Sequence, residues 1–372
     1  MPHKIIPVTD RAHLAAFIRL PWQIYRFDKN WVAPLLGEEY KLHDPKKHPF
    51  WLHARGQYFL AVDRGKVLGR IAAIIDPNFQ QFQNLNWGYW GFFECIENEQ
   101  VAKDLFEAAA EWLKKQGVEA AIGPMNPSTN YECALLIEGF DSPPVIMMPY
   151  NPRYYVDLIE NSVGLKKAKD LVAWIVDTPE IPPRLEKLAK YAYKKGNFKI
   201  RKVDFGNLET EINLIFSVYN KAWEKNWGFV PMTEAEFRNT AAALKQVADR
   251  DLVFIAEADN KPVGFSLALP DINQALIHNR SGRLFPFGVF KILYYSRKIY
   301  RLRVITMGVI EGYRNRGIDI GFYYETFKEG LKKGYREAEC SWILEDNVLM
   351  NRALEDIGGR VYKRYRIYKM DL

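Results

Sequence analysis

The stretch TMGVIEGYRNRGIDIGFYYETFKEGLKKG, residues 306–334, decides the fold. TMGVIE (306–311) reads as a short apolar strand ending in glutamate, and the segment beyond the loop has helical spacing until KKGY (332–335) stops it. Between them, GYRNRGIDIG (312–321) has the form of a loop that offers backbone N–H groups at a helix N-terminus. There the helix dipole favours an anionic phosphate. Asp319 is the residue out of character, because it sets a carboxylate in the first helical turn.

The same arrangement occurs earlier in the chain. YWGFFE (89–94) is followed by a helix-like pattern that stops at KKQG (114–117), and 23 positions separate Glu94 from Gly117 as they do Glu311 from Gly334. Upstream, QYFLAVDRGKVLGRIAAIID (57–76) and DLVFIAEADNKPVGFSLALPD (251–271) each read as two strands about a turn, with Gly69 and Gly264 in matching places. Each half then closes with a helical segment, a glycine and a last strand: Tyr154 to Gly164 with KKAKDLVAWIV, and Asn347 to Gly359 with RVYKRYRIYKM. An ungapped match of this length points to duplication. DTPEIPP, around Thr178 to Pro183, breaks any regular element, so the expected domains are 1–178 and 179–372.

The two phosphate loops are not equivalent. Where the second half has Arg314, Arg316 and Gly317, the first has Glu97, Glu99 and Gln100, and carboxylates there repel a pyrophosphate. The second half alone is expected to hold a phosphate.

Composition sets the outer bounds. A chain of 372 residues, 48% hydrophobic, can fill two cores. No apolar run approaches a membrane-spanning length and the start lacks the apolar core of a signal peptide, so a cytoplasmic protein is expected. Cys95, Cys133 and Cys340 show no ligand spacing, and no metal is expected. The net charge of +7 points to anionic partners. Between Asp271 and Glu311 no acidic residue occurs, while Arg280, Arg283, Lys291, Arg297, Lys298, Arg301 and Arg303 alternate with Phe285, Phe287, Phe290 and Tyr294. This segment is an insertion: the matched glycines are offset by 195 and the matched glutamates by 217, which leaves about 22 extra residues in the second half. It is expected to touch an anionic membrane surface peripherally, at the inner face. No RNA-recognition motif is present, and nucleic acid is not an expected partner.

Arg314, Asn315, Arg316, Gly317, Ile318 and Asp319, preceded by the strand VITMGVI, resemble the Q/R-x-x-G-x-G/A coenzyme loop of the GCN5-related N-acetyltransferase (GNAT) superfamily. NVLMNRALEDIGGRVYKRYRIY (347–368) resembles that superfamily's closing N-x-x-A-x-x-x-Y-x-x-x-G-F pattern, with Asn347 and Gly358 in register. Leu354 stands at the tyrosine position and Gly359 at the phenylalanine position. In the first half, GPMNPSTNYECALLIEGFDSPPVIMMPYNPRYY (123–155) and WVAPLLGEEYKLHDPKKHPFWLHA (31–54) resemble a family of tandem GNAT-like proteins that includes bacterial ceramide synthases. The resemblance spans nearly the whole chain. It implies an α+β fold of two tandem GNAT-like domains, mixed central sheets flanked by helices, with acyl-CoA as co-substrate. Backbone amides from Arg316 to Gly321 would hold the pyrophosphate, Val309 and Ile310 the pantetheine, and Asn347 would assist. The reaction implied is transfer of an acyl group, long-chain in this family, to a small-molecule or lipid amine such as a sphingoid base.

Three side chains are candidates for the proton acceptor: His53, Glu132 and Glu311. Asn126, Ser128, Asn130 and Tyr131 lie in a Pro- and Gly-marked loop and could orient an amine and its hydroxyls. The residues leave open a short-chain acetyltransferase, a Fem-like transferase fed by aminoacyl-tRNA, and a non-catalytic acyl-CoA- or lipid-binding module.

Overall fold

A computed structural model describes residues 3–372. The chain forms two compact units. Unit 1 contains the residues up to Leu171 together with Leu276–Ile292 and Lys363–Leu372; unit 2 contains Val172–Ala275 and Leu293–Tyr362. This differs from the expected division at residue 178, because part of the insertion and the last strand are built into unit 1. Ion pairs explain the second case: Arg366 bonds Asp170 at 2.7 Å and Glu160 at 2.8 Å, and Lys363 reaches the carbonyl of Ser142 at 2.8 Å.

Unit 1 begins with β1 (Lys4–Pro7), α1 (Arg11–Ile24) and α2 (Leu36–Leu42), then β2 (Arg55–Asp63), β3 (Lys66–Ile75), α3 (Pro77–Gln83), β4 (Trp87–Cys95) and α4 (Glu99–Lys115). It continues through β5 (Ala120–Gly123), the short pair β6 (Met125–Asn126) and β7 (Glu132–Cys133), β8 (Leu135–Glu138), α5 (Tyr154–Asp157) and the start of β9 (Lys166–Val176). Strands β1 to β4 pair antiparallel in order, and β4 pairs parallel with β5. Buried Leu105, Phe106 and Ala109 of α4 pack on Ile71, Trp90 and Tyr155.

Unit 2 repeats the plan. It contains α6 (Pro183–Lys195), β10 (Lys199–Lys202), α7 (Leu208–Ala222), α8 (Glu234–Leu244), β11 (Val253–Ala258), β12 (Lys261–Pro270) and most of α9 (Asn273–Leu276). After the insertion, which carries α10 (Gly288–Ser296), come β13 (Arg301–Val309), α11 (Ile318–Lys332), β14 (Glu337–Leu344), α12 (Val348–Asp356) and β15 (Arg360–Asp371), whose end returns to unit 1. Strands β10 to β13 are antiparallel and β13 pairs parallel with β14.

The duplication is visible in detail. Both hairpins turn on two residues of positive φ, Arg64–Gly65 (46° and 79°) and Asp259–Asn260 (51° and 58°), which suits the right-handed twist of the flanking strands. A Cβ on Gly69 would lie 2.7 Å from Leu105, and one on Gly264 3.3 Å from Phe322. Leu105 and Phe322 are related by the offset of 217 that also relates Glu94 to Glu311. Each glycine therefore admits the same position of the covering helix to the sheet.

The insertion is anchored in unit 1 by Arg280. Its guanidinium donates to the carbonyls of Asp28 (2.6 Å), Tyr25 (2.8 Å), Trp31 (3.2 Å) and Arg26 (3.2 Å), and it lies over the Trp31 ring. Trp22 Nε1 returns a bond to the Arg280 carbonyl at 2.9 Å. Replacing Arg280 with alanine should leave several half-buried carbonyls without donors and cost about 2–3 kcal/mol. Urea unfolding will read that loss, and limited proteolysis should cut first between residues 276 and 292.

Candidate functional site

The features that suit an acyl thioester lie in unit 2. β13 and β14 are paired from Arg301↔Glu337 only as far as Val304↔Cys340. Beyond that point β13 stays bonded to β12 as far as Val309↔Gly264, so its other edge opens. An open strand edge offers unpaired backbone donors and acceptors, which is what the amides of a pantetheine arm need. Gly308 lies on this open section, and a Cβ there would fall 2.3 Å from the indole of Trp223. The ring covers the strand where no side chain could stand.

The loop that follows ends in Gly317, the N-cap of α11, with φ of 80°. With no side chain it leaves the first-turn N–H groups uncapped, and it is a left-handed position that favours glycine. The helix end is therefore able to take a phosphate. Close packing fixes the loop from below: a Cβ on Gly317 would meet Ala192 at 2.6 Å, and one on Gly196 would meet the Arg316 carbonyl at 2.6 Å. Arg314 points elsewhere, donating to the carbonyls of Val309 (3.1 Å) and Ala222 (2.8 Å). Arg316 stacks over Tyr313 and faces Asp259 at 3.9 Å. Ile318 is buried and Asp319 exposed, while Gly321 packs tightly on Ile200. Asn347 caps α12, its Oδ1 accepting from Met350 N at 3.2 Å. Leu354, at the tyrosine position, is in the core.

The matching places in unit 1 are closed. Asn98 caps α4, accepting from Val101 N at 3.0 Å. β4 and β5 part after Tyr89↔Ile122, and β6 fills the gap. Asn126 Oδ1 accepts from Phe92 N at 2.6 Å, and a Cβ on Gly91 would lie 1.7 Å from the Met125 carbonyl. No pantetheine arm can lie along that edge while β6 occupies it.

Unit 1 instead holds a polar nest. Arg70 stands opposite Glu94 across β3 and β4, with 3.8 Å between NH2 and Oε1. Glu94 Oε2 accepts from Tyr155 (2.7 Å) and Tyr25 (3.0 Å), whose hydroxyls burial and the Glu94 charge keep protonated. Glu39 and His43, one turn apart on α2, join them. Burial pushes the Glu39 carboxyl up to about 7; Arg70 opposes this, and Glu132, Glu94 and Glu38 reinforce it. His43 is held neutral by burial and by the nearby charge of Arg70, with Nδ1 3.0 Å from the Tyr58 hydroxyl.

The candidate side chains are distributed as follows. Asn126 and Glu132 face each other in the β6–β7 pair. Ser128 is buried, its Oγ accepting from Asn130 N at 3.3 Å, and the Tyr131 ring is 5.2 Å from that of His48. His53 Nδ1 lies 3.1 Å from Asp76 Oδ1. Glu311 is 67% exposed and ion-paired with Lys225 at 2.7 Å, which holds its carboxyl below the usual range. That setting keeps a carboxylate ionised and ill suits a base poised near neutrality. Sequence reasoning missed Glu39, His43 and Arg70. The signal for Arg70 was a lone cation in the buried strand KVLGRIAAII, and for the other two a Glu–His pair at helical spacing.

Among the described residues there is no cluster able to hold a metal, the three cysteines are buried and form no disulfide, and no helix is long and apolar enough to cross a membrane. No family model matches the chain. It is 36% identical over 377 residues to a protein of Caulobacter vibrioides named bacterial ceramide synthase, covering 99% of this chain and 97% of that one. It is 37% identical over 371 residues to Protein YghO of Escherichia coli, covering 98% and 94%. Two solved structures share the fold. The tandem GNAT protein from the clavulanic acid biosynthesis pathway has a TM-score of 0.56 at 8% identity, covering 99% of this chain and 98% of that one. A GCN5-related N-acetyltransferase from Sphaerobacter thermophilus has a TM-score of 0.55 at 14% identity, covering 99% and 95%. With that identity over nearly the full length, and with one strand-and-helix plan repeated in both units, the chain belongs to the bacterial ceramide synthase-like family of tandem GNAT proteins and is an N-acyltransferase.

Proposed function

We propose that the protein moves a long-chain acyl group from acyl-CoA, held by unit 2, to the amine of a lipid such as a sphingoid base. The observation that carries this reading is the uncapped start of α11 beside the open edge of β13, set against the capped and filled counterpart in unit 1. The N–H groups of α11 and the cation of Arg316 suit the pyrophosphate, and the Ile305 to Val309 edge suits the pantetheine amides. The free amine attacks the thioester carbonyl, the C–N bond forms as the C–S bond breaks, and coenzyme A leaves as the thiol. The protein contributes orientation, backbone donors for the developing oxyanion, and a proton acceptor. Of the three acceptors considered, Glu132 lines the polar nest, His53 is engaged with Asp76, and Glu311 is engaged with Lys225.

Two features favour a lipid substrate. The first is the name of the Caulobacter relative. The second is the surface of the insertion, where Phe285, Phe287 and Phe290 are 77%, 72% and 68% exposed. Exposed Arg283, Lys291, Arg297 and Lys298 accompany them with no carboxylate in the segment. Aromatic side chains rimmed by cations match the boundary of an anionic bilayer, each well-placed cation contributing about 1 kcal/mol.

Acetyl-, octanoyl- and palmitoyl-CoA offered to the full chain in native mass spectrometry should show preferential palmitoyl-CoA binding. Gly317→Ala, which meets Ala192 and a strained φ, should weaken it by about tenfold or more. Binding of acetyl-CoA alone would make the enzyme a short-chain acetyltransferase; no binding of any would remove coenzyme A as donor. Separately, the protein should sediment with vesicles rich in phosphatidylglycerol and not with neutral ones. Changing Phe285, Phe287 and Phe290 together to serine should abolish sedimentation, and 0.5 M salt, roughly halving the Debye length, should weaken it.

A further inference from the structure

Helix α6 flanks the loop that ends in Gly317 and carries more positive charge than unit 2 neutralises. Its inner face is Leu185, Ala189 and Ala192, all buried, and a Cβ on Gly317 would meet Ala192 at 2.6 Å. Gly196, which ends the helix, comes as close to the Arg316 carbonyl, and Tyr193 is bonded to Glu325 of α11 at 3.1 Å. The opposite face presents Arg184, Lys187, Leu188, Tyr191, Lys194 and Lys195, all exposed and at the spacing of one helical stripe. Residues 183–202 hold eight cations and one carboxylate. Four of these cations are engaged: Arg184 with Asp356 and Lys190 with Glu186, at 2.8 and 2.7 Å, Arg201 with Glu211 and Glu257, and Lys202 with Asp251 and Glu329. Among the described residues no carboxylate pairs with Lys187, Lys194, Lys195 or Lys199. The stripe runs about 16 Å from Arg184 to Lys195, at 1.5 Å per residue. Leu188 and Tyr191, 42% and 64% exposed, stand at its middle.

We propose that the outer face of α6 docks an acidic carrier protein that brings the acyl group to unit 2 on a phosphopantetheine arm. An apolar centre with an exposed tyrosine, rimmed by cations, has the anatomy of a protein interface and fits a partner with carboxylates around an apolar spot. The place of the helix selects the kind of partner. It packs on the loop whose N–H groups suit a phosphate, so a body docked on α6 stands beside the entry of its own arm. One phosphate of a small donor spans far less than this stripe. An anionic bilayer fits it less well, because a helix lying in a membrane surface offers a broad apolar face, and the apolar face of α6 is turned inward and buried.

Coenzyme A and a carrier protein present the same arm and the same thioester, so the reaction is unchanged. The lone pair of the neutral amine makes the C–N bond, the C–S bond breaks, and the carrier leaves as its thiol with the proton that the nitrogen gives up. The two donors differ at the far end of the arm, which is a nucleotide in one and a folded acidic surface in the other. Unpaired lysines around that end raise the encounter rate of a negatively charged body, an effect that salt suppresses.

This inference rests on the acyl-thioester reading of unit 2 and adds the partner that supplies the thioester. The probe is a bacterial acyl carrier protein of net negative charge, in its apo form without the arm and in its palmitoyl form. Each is titrated with the full chain and followed by the fluorescence anisotropy of a dye on the carrier. The palmitoyl form should bind in the micromolar range of transient interfaces and the apo form about tenfold more weakly. Raising salt from about 0.05 M to about 0.5 M should weaken both at least about tenfold. Lys187→Glu and Tyr191→Ala should each weaken both forms at least about fivefold, and Lys187→Arg should bind as the parent does. Both side chains are exposed, so the melting temperature should not change. Palmitoyl-CoA binding and vesicle sedimentation should also be the same in every variant. Carrier binding that both variants leave intact, or no binding of either form while palmitoyl-CoA binds, overturns the docking face and leaves the donor reading. Sedimentation lost in the variants with carrier binding unchanged overturns it in favour of a membrane. Apo carrier held through α6, with no gain from the palmitoyl arm and no binding of palmitoyl-CoA, overturns the donor reading and leaves the docking face standing.

Discussion

Everything specific to this protein depends on where two parallel strands stop pairing. In unit 2 the bonds between β13 and β14 end at Val304↔Cys340, and the chain leaves β13 through a glycine-marked loop into α11. Parallel pairing cannot be lost cheaply, since each unpaired backbone group removed from water costs on the order of 1–3 kcal/mol unless something else bonds it. The other edge of β13 stays paired with β12 from Leu302 to Val309, across a bulge at Leu267/Ala268. An open edge next to an uncapped helix start sets unpaired strand amides and free helix N–H groups side by side in one unit.

Unit 1 shows what the same scaffold does when that opening is filled. The strands part at the same stage, but Met125 and Asn126 turn back into the gap, and the Phe92 amide is bonded by the Asn126 side chain. The strand residue that in unit 2 leads to an exposed Glu311 leads in unit 1 to a buried Glu94, held by two tyrosines and Arg70. Burying an ion pair of this kind does not stabilise a fold over an apolar substitute, because desolvation offsets the attraction. A nest of Glu39, Glu94, Glu132 and Arg70 is therefore a feature the fold carries at a cost, as functional sites commonly are.

Much of this was legible in the chain because it follows from local chemistry. The repeat and the hairpin turns at Arg64–Gly65 and Asp259–Asn260 come from periodicity and turn residues, the α+β class from the family resemblance, and the structure reproduces them. What was not legible depended on contacts far apart in sequence. Asn347 and Arg314 sit in motif positions that suggested ligand contacts; in the structure one caps α12 and the other bonds two carbonyls. Arg70 carries no sign of its partners in the local sequence, because Glu94 and Phe17 lie 24 and 53 positions away. The ownership of the insertion was hidden for the same reason, since Arg280 finds its carbonyl partners some 250 residues upstream.

That anchoring bears on the exposed phenylalanines. Aromatic side chains left in water forgo about 25 cal/mol for every square ångström they could have buried, so a free loop would fold them inward or collapse on its own. Here the backbone does not have that freedom. Arg280 holds the start of the segment through four carbonyls, Asn279 Nδ2 binds the Arg283 carbonyl at 3.0 Å, and Gly288 approaches that carbonyl so closely that a Cβ would lie 1.9 Å from it. The turn is braced with Phe285, Phe287 and Phe290 outward, and its rigidity lowers the ordering entropy that membrane contact would otherwise cost. An anionic surface of the kind proposed above would cover these exposed apolar groups, and the run of cations beside them would complement its charge.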